Sequence, residues 1–169
     1  MIIIFTTPRL ILRELVPEDV VSLSAVLSDP ESMKFYPHPF DESEVAGWIE
    51  RNIVRYAEFG FGLWGLVLKE TNELIGDCGI TYQNIDGETL PEIGYHINPK
   101  HCGKGYASEA AQACKKYAFE ILKFPAIYSY MYAENTPSRR VAEKNGMKIV
   151  KTYINNGLDI VVYSVLNQD

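Results

Sequence analysis

The chain has 169 residues, of which 47% are hydrophobic and 22% charged, and its formal net charge is −6. This apolar content excludes an intrinsically disordered chain, and the acidic balance argues against nucleic acid as the main partner. The length suits one domain, and no Pro-, Gly- or Ser-rich linker divides the sequence, so residues 1–169 are predicted to form a single domain.

The charge is unevenly distributed along the chain. Residues 1–99 carry 6 basic and 16 acidic side chains, whereas residues 100–151 carry 10 basic and 4 acidic ones. This division is compatible with a polyanionic ligand on the C-terminal half and a cationic ligand facing the N-terminal half. Solvated surfaces that differ only by chance would give the same counts.

Cysteine usage and hydropathy indicate the cellular setting. Cys78, Cys102 and Cys114 cannot all pair, and no Cys/His spacing typical of a zinc site occurs, so a reduced, cytoplasmic protein without a metal is expected. The apolar run at residues 1–5 is too short for a signal-peptide core. Because no stretch approaches the roughly 20 apolar residues of a membrane span, no membrane partner is expected.

The first half of the chain predicts one strand, then two helices, then three more strands. Pro17 suits a first-turn position and opens the first helix, which Asp29-Pro30 ends. Asp41, followed three residues later by Glu44, predicts a capped start for the second helix, which runs to about Phe59. The strands are expected at residues 9–15, 62–68, 74–82 and 92–97, with a turn at residues 70–73 between the second and third.

The second half of the chain predicts two helices and three strands. The helices are expected at residues 107–121 and 137–144, and the strands at residues 126–132, 147–153 and 159–166. Gly146 is a C-terminal stop for the short helix, and Asn155-Asn156-Gly157 predicts a hairpin turn. The element order favours a mixed α/β architecture with an antiparallel N-terminal meander and a β-α-β crossover near residues 91–132.

The most informative segment lies between the strand at residues 92–97 and the helix that follows. Gly103 and Gly105 allow unusual backbone angles and the close approach of a ligand. The unpaired N–H groups at the start of the helix then favour an anion such as phosphate or pyrophosphate, although a plain Gly-rich turn would read the same way. The segment fits neither the P-loop pattern nor the dinucleotide pattern, since Ser108 stands at the third glycine place of the latter.

Five segments, in this order and spacing, resemble the GNAT superfamily of acetyl-CoA-dependent N-acetyltransferases. They are residues 7–13, 29–33, 92–95, 102–107 and 135–146. The family loop reads Gln/Arg-x-x-Gly-x-Gly/Ala, and here Cys102-Gly-Lys-Gly-Tyr-Ala107 departs only at its first place. The chain is most similar to the RimJ/RimL branch, which acetylates N-terminal amines of ribosomal proteins and has small-amine relatives. The resemblance implies a mostly antiparallel twisted sheet of about seven strands, splayed between the fourth and fifth, with about four flanking helices.

The resemblance also implies how acetyl-CoA, the expected co-substrate, would be held. The strand ending at Ile97 would splay from the strand at residues 126–132 and pair with the pantetheine arm. Asn135 would hydrogen-bond the pantetheine or a water, and Ser138 would lie near the thioester sulfur. Lys104 would add a positive charge to the pyrophosphate site. The backbone N–H groups of that site would come from Gly103, Lys104, Gly105, Tyr106, Ala107 and Ser108.

The expected acceptor is a primary amine, with a protein or peptide N-terminal α-amine as the first choice. A small amine such as a polyamine, amino acid or aminoglycoside is the alternative, and so is a catalytically silent acyl-CoA sensor. The protein is expected to be a monomer or a homodimer.

The reaction needs a base, an oxyanion donor and an acid. Glu92 is the candidate base for the amine, with a strand-edge salt bridge as the alternative interpretation. A backbone N–H near Ile97 suits the carbonyl oxygen. The family often assigns protonation of the thiolate to a Tyr where this chain has Ala142, so Ser138 or a water would replace that Tyr.

The remaining candidates have weaker signals. His38, His96 and His101 show no partner pattern, so each is predicted to be structural or solvent-exposed rather than catalytic. Arg139 and Arg140 could reach the 3′-phosphate of CoA or solvate a helix face, and the second is favoured. Five aromatic residues could line an acceptor groove, but core packing is favoured for Trp48, Tyr56, Phe59, Phe61 and Trp64.

Overall fold

Eight strands and four helices make up residues 2–168, the part of the chain that the computed structural model describes. The strands are β1 (Ile3–Thr6), β2 (Leu10–Arg13), β3 (Leu63–Leu68), β4 (Leu74–Ile85), β5 (Glu88–Ile97), β6 (Ala126–Tyr132), β7 (Lys148–Asn155) and β8 (Leu158–Leu166). The helices are α1 (Val20–Leu27), α2 (Glu42–Phe59), α3 (Tyr106–Glu120) and α4 (Thr136–Lys144), with short 3₁₀ turns at Pro17–Asp19 and Pro99–His101. Met1 and Asp169, the ends of the predicted domain, lie outside the described residues.

All strands join one sheet in the order β1-β2-β3-β4-β5-β6-β8-β7. Every neighbouring pair is antiparallel except β5 and β6, which run parallel and share a single register pair, Glu92 with Tyr128. The two strands diverge beyond that pair, so the sheet opens into a gap. The mixed α/β, mostly antiparallel architecture with its splay between these two strands is therefore confirmed.

The count of about seven strands is one too low. β1 was missed because it has only four residues, is apolar throughout its first three, and pairs with β2 alone at the edge of the sheet. Its presence makes the splayed strands the fifth and sixth. The β4–β5 hairpin is also longer than predicted, since Asp86 and Gly87 both have positive φ and form a tight turn between paired strands.

Local signals set the helix ends. The Asp41 side chain accepts a hydrogen bond from the Glu44 N–H (2.8 Å), and Glu44 Oε1 accepts one from the Asp41 N–H (3.2 Å), so the predicted capping box is formed. α2 ends at Gly60 and α4 is followed by Gly146, both in the left-handed conformation.

The core lies on both faces of the sheet, because alternate residues of a strand point in opposite directions. On β3, Trp64 and Leu66 pack in a cluster with Cys114 and Ala118 of α3. Val67, between Leu66 and Leu68 on the same strand, packs instead with the buried faces of α1 and α2. α3 therefore covers one face of the sheet, and α1 with α2 covers the other.

A buried ion pair joins the end of β2 to the turn before α1. Arg13 donates to both carboxylate oxygens of Asp19 (2.8 and 2.9 Å), and each side chain is only 10% exposed. Asp19→Asn should lower the free energy of unfolding by about 3 kcal/mol, because Arg13 would remain buried without its counter-charge. Urea denaturation measures this loss.

The exposed Glu31–Lys34 pair provides the control, since its side chains are 72% and 50% exposed. Glu31→Gln should change the free energy of unfolding by no more than about 0.5 kcal/mol. Equal losses in the two variants would show that the buried Arg13–Asp19 pair contributes no more to the free energy of unfolding than the exposed pair.

Candidate active site

Two glycines shape the loop that connects β5 to α3. Gly103 and Gly105 have φ of +78° and +83°, a region that other residues rarely adopt. Gly105 is the N-cap of α3, and the first hydrogen bond of the helix runs from the Glu109 N–H to the Gly105 carbonyl (3.0 Å). The N–H groups of residues 106–108 therefore have no acceptor within the helix, as an anion site requires.

Arg9 holds this loop in place from the far end of the chain. Its guanidinium donates to the Lys104 carbonyl (2.8 Å) and to Glu109 Oε2 (2.7 Å), and lies 4.4 Å from the centre of the Tyr106 ring. Burial alone would raise the pKa of Glu109, but hydrogen bonds from Thr7 and Arg9 lower it. Arg9 was predicted only as part of a strand, although it belongs to the segment that resembles the opening strand of the family.

A cavity of about 1090 Å³ extends from this loop, along the gap between β5 and β6, to the segment between α1 and α2. It has basic side chains near the loop, among them His101, Arg140 and Lys144. Lys104 is the one predicted site residue that does not line it, because its side chain is exposed and only its carbonyl is held, by Arg9. The predicted residues that do line it are Glu92, Ile97, Gly103, Gly105, Tyr106, Ala107, Ser108, Asn135 and Ser138.

Glu92 lies on β5 at the point where the sheet opens. Its residue is 9% exposed, and its carboxyl accepts a hydrogen bond from the Tyr130 backbone N–H. Burial raises the pKa of Glu92 well above its usual range, with the Tyr130 N–H acting in the opposite direction. Within residues 2–168 no cation lies within 4 Å of its carboxylate, so the strand-edge salt bridge is not formed.

Backbone geometry directs Ile97 into the gap. The N–H of Asn98 donates to the Ile75 carbonyl on β4 (2.7 Å). Because N–H groups of successive strand residues point to opposite edges, the N–H of Ile97 points away from β4 and toward the open side of β5. This placement leaves a backbone donor where β6 no longer pairs.

One hydrogen bond caps the start of α4, and another joins it to β5. Asn135 Oδ1 accepts from the Ser138 N–H (3.3 Å) and caps the helix, and the Ser138 carbonyl accepts from the Tyr95 hydroxyl (3.0 Å). Asn135 and Ser138 thereby face the same gap as Ile97. Ala142, at the place of the usual family Tyr, is 3% exposed and packs in the core.

Sequence reasoning missed a linked set of side chains on the opposite wall. His96 Nε2 lies 2.6 Å from the Tyr36 hydroxyl, and His96 Nδ1 lies 2.7 Å from Asp77 Oδ1. Tyr36 and His96 both line the cavity, and the His96 side chain is 12% exposed, so of the two predicted roles for His96 solvent exposure does not hold and a structural role stays a prediction. No sequence spacing signals the set, because its members are 60 and 19 residues apart.

The remaining histidine and arginine candidates fall into two groups, those that line the cavity and those that do not. His38 pairs with Glu44 on the surface, whereas His101 lines the cavity and lies 3.1 Å from Glu73. Arg139 does not face the cavity, because it donates to the Tyr163 hydroxyl and the Ala133 carbonyl, while Arg140 lines it.

Of the five aromatic candidates, only Trp48 lines the cavity. Tyr56, Phe61 and Trp64 are core residues, as predicted, and Phe59 is 44% exposed.

Among residues 2–168 no group of three or more His, Cys, Asp or Glu side chains is arranged to hold a metal ion. No helix in the same part of the chain is both long and apolar enough to cross a membrane.

An open parallel strand pair, with a glycine loop and a helix N-terminus at its end, is the arrangement that the resemblance to acetyl-CoA-dependent acyltransferases implies. Residues 9–148 match the family described as the acetyltransferase (GNAT) domain, and the chain therefore belongs to the GNAT acetyltransferases. The predicted membership is confirmed, and the protein is an acetyl-CoA-dependent N-acetyltransferase.

Individual relatives agree with this membership. The chain is 37% identical over 158 residues to the uncharacterized protein YkkB of Bacillus subtilis (strain 168), covering 93% of this chain and 92% of YkkB. A GNAT-family acetyltransferase structure from Bacillus anthracis has a TM-score of 0.83 and 33% identity, with 100% of both chains covered. RimL, a ribosomal L7/L12 alpha-N-protein acetyltransferase in complex with coenzyme A, is 20% identical with a TM-score of 0.77 over 97% of each chain, which shows a shared fold.

Proposed function

We propose that this enzyme transfers the acetyl group of acetyl-CoA to the α-amine of a protein or peptide N-terminus. The observation that carries the proposal is that Glu92 and the loop at residues 102–108 open onto one cavity. An amine and an acetyl donor bound there would meet at the gap between β5 and β6. Bringing two reactants together in this way supplies a large part of the rate of such reactions.

The residues of the gap fit an extended acetyl-CoA molecule. The free N–H groups of residues 106–108 would bind the pyrophosphate, and Arg140 and Lys144 add positive charge on that side. The exposed edge of β5 at Ile97 would pair with the pantetheine arm, and Asn135 and Ser138 lie across the gap from it. The departure at Cys102 matters little, because backbone groups provide most of the donors.

Glu92 would act as the base. An ammonium group must lose a proton before it attacks a thioester, and a carboxylate within reach of the amine accepts it, directly or through a water. The raised pKa of Glu92 makes its carboxylate a stronger proton acceptor once ionised. The N–H of Ile97 suits the negative charge that develops on the carbonyl oxygen.

The acceptor preference rests on likeness and on shape. The sequence resembles the RimJ/RimL branch, and RimL, which shares the fold, is described as an alpha-N-protein acetyltransferase. The cavity also reaches Glu31 and Phe35 between α1 and α2, which leaves room for an extended peptide. Lys34 and Arg55 line the same end, so the acidic excess of residues 1–99 does not form a uniformly acidic acceptor wall.

A panel of amines tests the proposal. Release of free CoA thiol from acetyl-CoA is expected with peptides that carry a free α-amine, and not with the same peptides blocked at the N-terminus. Faster release with a polyamine, a free amino acid or an aminoglycoside would instead establish the small-amine alternative. Binding of acetyl-CoA without release by any amine would identify an acyl-CoA sensor.

The wider setting is part of the proposal. Cys78, Cys102 and Cys114 are all free thiols, which supports a reducing, cytoplasmic location. We take residues 1–169 as a single catalytic domain that acts as a monomer or a homodimer.

A further inference from the structure

Four polar side chains link the interior of the protein to the cavity. The Trp48 indole N–H donates to Asp77 Oδ2 (2.9 Å), and Asp77 Oδ1 lies 2.7 Å from His96 Nδ1. His96 Nε2 in turn lies 2.6 Å from the Tyr36 hydroxyl. We call Asp77, His96 and Tyr36 the Asp77–His96–Tyr36 relay. These side chains take no part in the proton transfer assigned to Glu92.

The strands hold the relay rigidly and expose only its end. Asp77 and His96 face each other across the antiparallel β4–β5 pair. The Asp77 side chain is 0% exposed and that of His96 is 12% exposed, whereas Tyr36 is 37% exposed and borders the cavity. Trp48 also packs edge-on against the imidazole, with 5.3 Å between ring centres. A proton leaving the relay would therefore leave from the Tyr36 oxygen.

Asp77 and the Tyr36 oxygen can each accept a hydrogen bond from the His96 ring. Asp77 is fully buried, and His96 is its ion-pair partner; within residues 2–168 no other cationic group lies within 4 Å of it. A buried carboxylate without a counter-charge is costly, so a proton on His96 stabilises it. Both ring nitrogens then donate, one to Asp77 and one to the Tyr36 oxygen, which leaves the Tyr36 O–H free to donate into the cavity.

Of the four other phenols that line the cavity, two already donate their hydroxyl protons. The Tyr95 hydroxyl donates to the Ser138 carbonyl (3.0 Å), and the Tyr130 hydroxyl donates to Gln83 Oε1 (3.3 Å). Desolvation, together with the nearby charges of Asp77 and Glu92, raises the pKa of Tyr36, so this phenol keeps its proton at neutral pH and would give it up only as another proton reaches its oxygen from His96. Tyr36 is thus a phenol with a proton to give in a site whose usual acid is replaced by a buried Ala142.

The position of His96 relative to Glu92 is consistent with two separate proton transfers. Glu92, Gly94 and His96 alternate along β5 and therefore share one face of the strand. Gly94 lines the cavity between them, and a Cβ there would lie 3.2 Å from Glu92 Oε1 and 3.7 Å from Leu63 Cδ2, so the Glu92 carboxylate lies close to the Gly94 backbone. The reacting centre would then lie beside this carboxylate, on the side toward His96.

We propose that Tyr36 protonates the departing CoA thiolate and that His96, oriented by Asp77, replaces the proton. As the amine nitrogen bonds to the acetyl carbon, the carbon–sulfur bond breaks and its electron pair stays on sulfur. The sulfur takes the Tyr36 proton, the Nε2 proton of His96 moves to the Tyr36 oxygen, and a neutral imidazole remains. An ammonium acceptor gives up two protons: the first leaves to solvent through Glu92 before the attack, and the second, which Glu92 takes from the nitrogen as the amide forms, restores the imidazolium through solvent. Tyr36 is then a catalytic residue and Asp77 a positioning residue, and both roles rest on the proposed acetyl transfer.

This assignment predicts the alkaline side of the pH profile. The kcat of the wild type should fall at high pH, because the relay then lacks its proton. Asp77→Asn should move that fall to lower pH, because the imidazolium loses its counter-charge. The titratable and charged groups that face the relay are Asp77 on β4, Glu92 on β5, Tyr130 on β6, Arg55 on α2 and Lys34 between α1 and α2.

The test compares full-length variants by CoA-thiol release across pH with saturating amine. Tyr36→Phe should lower kcat about 100-fold while changing the KM for acetyl-CoA less than about threefold. His96→Gln should lower kcat similarly and remove the alkaline fall. His38→Gln is the matched control, because His38 is paired with Glu44 on the surface outside the cavity, and it should leave kcat unchanged.

Three results would overturn the relay. One is a Tyr36→Phe enzyme whose kcat stays within about threefold of wild type at every pH. This result would be decisive even if Asp77→Asn failed to fold. Another is a larger kcat loss in Ser138→Ala than in Tyr36→Phe, which would assign the acid to Ser138. The third is an alkaline fall that does not move in folded Asp77→Asn. A wild type that releases no CoA with any amine would refute the proposed function itself, and so is distinct from these results.

Discussion

A Gly105→Val variant is expected to lose acetyl-CoA affinity by about 100-fold or more, equivalent to about 2.7 kcal/mol, and to stay folded. Gly105 has φ of +83°, where a β-branched residue is strained by about 1–3 kcal/mol. Its new Cβ would also lie 3.3 Å from Arg9 Nη2, the side chain that holds the loop. Relief of both strains must turn the backbone and withdraw the N–H groups of residues 106–108 from the pyrophosphate. Titration calorimetry with acetyl-CoA measures the loss.

Gly157→Val separates the effect on the loop from general backbone strain. Gly157 has φ of +76° in the β7–β8 turn, has open space around its Cβ position, and does not line the cavity. The control should lose a comparable amount of stability in urea and bind acetyl-CoA as the wild type does. Wild-type affinity in Gly105→Val would remove the loop from the binding site, and weak binding in both variants would attribute the loss to stability.

Features encoded by adjacent residues were predictable from the sequence. The Asp41–Glu44 capping box, the stop at Gly146 and the turn at Gly157 each follow from a few consecutive residues whose backbone preferences agree with the final fold. The glycine loop belongs to the same kind of signal. The splay of β5 from β6 came instead from the family resemblance, since no periodicity in either strand marks where pairing stops.

Features that depend on strand register or on distant partners were not predictable. Asp77 meets His96 only because β4 and β5 pair in one particular register, and Tyr36 reaches His96 across 60 residues of sequence. Arg9 holds Glu109 across 100 residues. Lys104 is exposed and does not line the cavity, so its charge contact with the pyrophosphate stays a prediction. Composition and spacing contain no signal for which long-range contacts form.

Glu92→Gln should lower kcat by about 100-fold or more while leaving the affinity for acetyl-CoA nearly unchanged. A glutamine has similar size and can still accept the Tyr130 N–H, but it cannot take a proton from the amine. The acid side of the wild-type pH profile should rise toward the raised pKa of Glu92, and this rise should be absent from the residual activity of the variant. Wild-type turnover in Glu92→Gln would show that another group is the base.

The same substitution should stabilise the fold in a pH-dependent way, which distinguishes a desolvated carboxyl from an ion-paired one. Because burial raises the pKa of Glu92 above its unfolded value, both states are protonated at low pH and the carboxyl costs nothing there. Above about pH 4.5 the unfolded state ionises first, so wild-type stability falls relative to the variant by up to about 1.4 kcal/mol per pH unit until the folded pKa is passed. Urea denaturation at a series of pH values measures the difference.

Glu109 provides a contrast, because its pKa shift has the opposite sign to that of Glu92. Its hydrogen bonds from Thr7 and Arg9 lower its pKa, so its contribution is present above the unfolded pKa and is lost only as the pH falls below it. Glu109→Gln should therefore be less stable than the wild type by a constant amount from about pH 5 to 8, while Glu92→Gln gains stability over the same range. If both variants lose stability by a constant amount, a partner stabilises the ionised Glu92 carboxylate in the folded state. Glu92 would then not be a desolvated base. If the stabilities of the two variants diverge with pH, the Glu92 carboxyl weakens the fold. A lower kcat in Glu92→Gln would then show that the enzyme keeps this carboxyl for catalysis.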